Sequence, residues 1–113
     1  MLITILGSAA ALALQPAPPP ELDLMQRTSL RCATALAVVA GVQERGGAKE
    51  YPQLGERGRE YFVRSIAQLM DETGANREQV QSLVQSEART LEDPAELDTI
   101  MPACLQLLDQ SGL

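Results

Sequence analysis

Cys32, in SLRCATALAVVAG, and Cys104, in MPACLQLLDQSGL, are the two most reactive side chains of this 113-residue chain, and 72 positions separate them. Thiols can ligate a metal, exchange electrons or form a cross-link. Ligation of zinc or haem would have to rely on the thiolates, because the chain contains no histidine. Redox exchange is disfavoured by the spacing, which is not Cys-x-x-Cys, and by the absence of an obvious helix N-terminus at either residue to lower its pKa. A structural disulfide between Cys32 and Cys104 is therefore expected, the alternative being two buried thiols that pack as small apolar groups.

The other groups with chemical potential form no catalytic set. Ser29, Ser65, Ser82, Ser86 and Ser111 have no histidine to activate them, and Asp71 and Glu72 are adjacent on a helix end instead of opposed across a cleft. Glu92, Asp93, Glu96 and Asp98 lack the alternating ligands and turn glycine of a calcium loop, and acidic residues at a helix start are expected from the helix dipole. The sequence thus predicts no enzyme activity, no cofactor and no metal. All three aromatic residues, Tyr51, Tyr61 and Phe62, lie close together with Arg57, Arg59 and Arg64. Tyr51, Arg57, Arg59, Tyr61 and Arg64 are the candidate partner contacts, since Tyr and Arg combine large area with directional polar groups. The competing reading makes Phe62 core and the tyrosines a cover over the bundle end.

Charge and composition restrict the partner. A net charge of −6 repels a phosphate backbone, so nucleic acid is not expected. The charge is also uneven, with two basic and nine acidic residues from Ser65 to Leu113. Residues 1–14, MLITILGSAAALAL, run from large apolar residues into alanines, and Ala11 and Ala13 supply the small residues of a secretory cleavage site, although the segment lacks the usual Lys or Arg. The reading is a signal peptide at 1–13, a proline-rich extended segment at 14–21 and one helical domain at 22–113. The mature protein would begin near Leu14, without a transmembrane anchor, in the periplasm or secreted.

The elements that must position these residues follow from periodicity. Leu22, Met25, Ser29, Cys32, Leu36 and Val39 recur at helical spacing, widened by Ala33, Ala37 and Ala40, and predict a first helix over 22–45. A second helix, 56–72, is expected to bury Phe62, Ile66, Leu69 and Met70 and to stop at Gly74. Asn76 with Gln79 predicts the N-cap of a third, whose apolar side is Val80, Leu83, Val84 and Leu91. Asp93-Pro94 opens a fourth, in which Leu97, Ile100, Met101, Cys104, Leu107 and Leu108 point inward and Pro102 is expected to cause a kink or a break into two short helices. The fold class is all-α: a small four-helix bundle with a proline-kinked last helix, stapled by one disulfide.

The functional expectation is an exported protein acting by protein–protein contact in the cell envelope, with a further envelope protein as partner. The alternative is a periplasmic stress or acid-activated chaperone. The chain is broadly similar to acid-activated periplasmic chaperones in being short, exported, helical and joined by one disulfide; that resemblance covers architecture and no residue motif. Fifteen carboxylates losing charge at low pH would turn the domain cationic and loosen it. An enzyme or cofactor carrier is a distant third.

Overall fold

The computed structural model describes residues 17–113. The expected signal peptide and the first residues of the proline-rich segment lie outside them. Four helices follow in order: α1 Leu24–Glu44, α2 Gly55–Thr73, α3 Arg77–Thr90 and α4 Pro94–Gln110. Among the described residues there is no strand, and no helix is long and apolar enough to cross a membrane.

Local chemistry sets the helix ends. Asp23 and Gln26 form a reciprocal capping box at α1, each side chain taking the other's backbone N–H. Asn76 and Gln79 do the same at α3, with both bonds at 2.9 Å. Asp93 caps α4 by accepting from the Ala95 N–H, and Pro94 occupies the first helical position, where a missing N–H costs nothing. Gly74 ends α2 in the left-handed region at φ 72°, a conformation that penalises any side chain.

α1 is the hub. α2 packs along it most extensively, α4 and α3 also lean on it, and the consecutive pairs α2–α3 and α3–α4 touch only weakly. Short connections make the last three helices sequence neighbours, but they meet through α1. The central part of α1 is accordingly buried nearly all round, with Cys32, Ala33, Thr34, Ala35 and Leu36 consecutive in the interior. Small residues let three helices approach one. Thr34 is satisfied in that setting by donating its hydroxyl to the Leu30 carbonyl at 2.8 Å. The main core joins Cys32, Ala35, Leu36, Val39 and Ala40 of α1 to Met101, Cys104 and Leu108 of α4, closed by Leu54 and Leu91 from the connections.

Three expectations are corrected. Met25 was expected to face inward, but it is 81% exposed. The first turns of α1 face Gln68 and Glu72 of α2, and a Gln26–Glu72 hydrogen bond bridges that polar end. Pro102 does not divide the last helix, which runs as one element from Pro94 to Gln110. Pro102 and Asp98 are both exposed, so the Asp98 carbonyl that loses its helical partner can be solvated by water. Phe62, Ile66 and Met70 are half-buried and not core, and of the stripe expected to bury α2 only Leu69 is enclosed. α2 meets α1 through a different edge, centred on Gly58 and Leu69. A Cβ built on Gly58 would lie 3.3 Å from the Leu36 carbonyl oxygen, so the glycine sets how closely these helices cross.

Gln43 positions the connection between α1 and α2. Its amide donates to the Pro52 carbonyl at 2.8 Å, and its Oε1 accepts from the Leu54 N–H at 2.9 Å. Leu54 is thereby held as a fully buried plug although it caps α2 with no side-chain hydrogen bond. Nothing in the local sequence pattern singles out Gln43; its partners lie across the loop it organises.

Candidate partner-binding groove

The cysteines meet as expected. Cys32 and Cys104 are disulfide-bonded with their Cα atoms 5.0 Å apart, joining α1 to α4 in the core, and the described residues contain no free cysteine. The bond is deeply enclosed and serves as a tie between helices.

Four of the Tyr and Arg residues, Arg57, Arg59, Tyr61 and Arg64, lie on α2, and Tyr51 lies on the connection before it. The Tyr51 hydroxyl donates to Asp98 of α4, tying the α1–α2 connection to the last helix. Arg57 donates to the Leu113 carbonyl at 2.7 Å and pairs with Asp109 at 3.0 Å, fastening α2 to the end of α4. Arg59 pairs with Glu44 at the end of α1, and Arg64 with Glu60 one turn back on its own helix. Tyr61 is half-buried against the core. Each of the five thus has an intramolecular contact, while the Arg57, Arg59 and Arg64 side chains stay well exposed.

The hydrogen bond from Tyr51 has a measurable signature. Asp98 holds the phenolic proton, and with partial desolvation and the charges of Asp98 and Glu50 it pushes the Tyr51 pKa up to about 12. Burial raises Tyr61 as well, partly offset by its bond with Ser65. A phenol raised above its unfolded value of 10.0 stabilises the fold fully below that pH and loses the contribution as pH climbs toward about 12. In a tyrosinate absorbance titration, Asp98→Asn is expected to return one tyrosine toward its ordinary range. An unchanged titration curve would refute the bond.

The acidic run near α4 is engaged in the same way, with Asp93 capping the helix and Asp98 accepting from Tyr51. Among the described residues no group of three or more Cys, Asp or Glu side chains is placed to hold a metal ion.

An open apolar groove of about 440 Å³ lies between α2 and α3. Phe62, Ile66 and Met70, spaced four apart, form one wall, and Val80 and Val84 form the other. Arg77, Gln81 and Gln85 complete the lining, which therefore contains one cation and no carboxylate. The groove exists because α2 and α3 each pack on α1 and barely on each other. Val63, 61% exposed on the neighbouring edge of α2, adds to the apolar surface there. The periodicity of Phe62, Ile66 and Met70 was legible, but an apolar stripe covered by a neighbouring helix and one left open have the same pattern. A cleft lined by five apolar side chains, with Arg77 its one charge, is a surface suited to another apolar surface. Comparison with protein-family models, with curated proteins and with solved structures finds no match to the chain.

Proposed function

We propose that the protein is an exported binding protein of the cell envelope that acts by seating part of a partner protein in the α2–α3 groove. The observation that carries this reading is the groove: Phe62, Ile66, Met70 and Val84, half-buried, and Val80, buried at its base, line a cleft between two helices that holds no carboxylate. The enclosed disulfide supports an oxidising compartment, because such bonds form and persist outside the reducing cytoplasm. The apolar segment 1–13 with its alanine-rich end supports export.

The test places a photo-cross-linking side chain at Val84, in the groove, and as a control at Glu56, away from it. One defined partner captured from Val84 and not from Glu56, and lost when Ile66→Asp is added, is the expected result. Ile66 is half-buried at the surface, so Ile66→Asp should leave the melting temperature within a few degrees while weakening binding by about thirtyfold or more. Partner capture that ignores Ile66→Asp would overturn the groove as the site. Intact mass addresses export: a product beginning near Leu14 outside the cytoplasm is expected, and a cytoplasmic product that keeps residues 1–13 and two free thiols would refute it.

A further inference from the structure

From the groove's shape and its single charge we infer the chemistry of the occupant: an amphipathic helix of the partner with apolar side chains at i, i+4 and i+7 and a carboxylate placed to meet Arg77. The inference rests on the groove being the binding site. From Phe62 to Met70 the apolar wall rises by eight residue steps of α2, about 12 Å of helix, close to the seven steps, about 10.5 Å, from i to i+7 of a second helix. Such a helix would fill the gap that separates α2 from α3 and give both helices the neighbour they lack.

The charge follows from the arrangement of α3. Arg77 opens that helix at the Met70 end of the groove and takes part in none of the ion pairs among the described residues. Glu78, the nearest acid in sequence, lines the opposite side of α3 beside Ala17, Pro18 and Pro19, where Gln79 donates to the Pro18 carbonyl at 3.0 Å. The positive end of the α3 dipole lies at the same place as Arg77 and favours an anion there. Asp71 and Glu72 follow Met70 and Glu78 follows Arg77, all exposed, but none of them lines the groove, so within the lining Arg77 is the charge a partner segment meets. An acyl chain is the less suitable occupant, because the groove is an open cleft and not an enclosed tunnel, and a single chain would leave its outer side in water.

The experiment uses two capped model helices of about eighteen residues, each with leucines at i, i+4 and i+7. One carries Glu a turn beyond the last leucine and the other carries Lys. Fluorescence anisotropy with the mature protein should show the Glu peptide binding about fivefold tighter, the scale of an exposed ion pair. Arg77→Glu should reverse the preference, and Ile66→Asp should abolish both interactions. Equal binding of the two peptides, or a preference that survives Arg77→Glu, would overturn the inferred charge match. If Val84 still captures a partner in that case, the groove stands and only its assigned occupant falls. Uptake of oleate with neither peptide bound would assign the groove to an acyl chain and refute the helix.

Discussion

Reduction of the Cys32–Cys104 bond is expected to lower the melting temperature by well over 10 °C while leaving native helicity intact at low temperature. The bond closes a loop of 72 residues, and on the chain-entropy model its loss enlarges the unfolded ensemble by about 4 kcal/mol. A domain of about 100 residues shifts by roughly 4 to 8 °C for each kcal/mol, which sets the lower bound. Cys32 is 3% exposed and Cys104 1%, so the reductant must reach the bond through an opened state, and reduction should be carried out in denaturant before refolding. Cys32→Ala and Cys104→Ala should each cost about as much as the double variant, since either change opens the same loop. Calorimetry of the refolded reduced protein reads the effect. A loss of only a few degrees would show that the unfolded chain is already compact and that the constraint is largely redundant.

The second large effect is expected from Leu36→Ala. Leu36 is fully buried at the centre of α1, belongs to the core shared with α4, and its carbonyl is where α2 approaches at Gly58. Removing its side chain leaves a cavity in the one helix that the other three share, so collapse from any side disturbs a second interface. A loss at the upper part of the range for buried leucines, about 3 to 5 kcal/mol, is expected, against a few tenths for exposed Val63→Ala. The disulfide acts through the unfolded chain and Leu36 through the folded one, so the two losses should add despite their proximity. Their sum of about 7 to 9 kcal/mol is comparable to the net stability of an ordinary domain, roughly 5 to 15 kcal/mol, so reduced Leu36→Ala should unfold at a far lower urea concentration than either single change. Urea unfolding of the four forms checks this. A Leu36→Ala midpoint close to that of Val63→Ala would deny α1 its central place.

These effects separate what the amino-acid order determines from what packing decides. Helix number and most boundaries are local matters. Asn76 with Gln79, Asp93 with Pro94, and Gly74 act through bonds or dihedrals within a few residues, and each appears where the pattern predicts it. The disulfide was legible too, because inward stripes on the first and last helices place both thiols in one interior and two cysteines allow only one intramolecular pairing.

Which apolar stripe becomes core is a different kind of question. Periodicity identifies the apolar side of a helix but does not identify its neighbour. α2 presents two adjacent edges, and the close approach allowed by Gly58 commits the Leu69 edge to α1, leaving Phe62, Ile66 and Met70 on the groove. The reach of Arg57 to Leu113 and of Tyr51 to Asp98, across 56 and 47 residues, is likewise invisible in one dimension. Those contacts fasten α2 and its preceding connection to the last helix. The amino-acid sequence by itself therefore determined four helices and one staple, through interactions a few residues long and a single available thiol pair. The tertiary structure alone decided that α1 is the hub and that α2 and α3 stand apart, because burial is settled by which surfaces meet, and the space left between them is the groove.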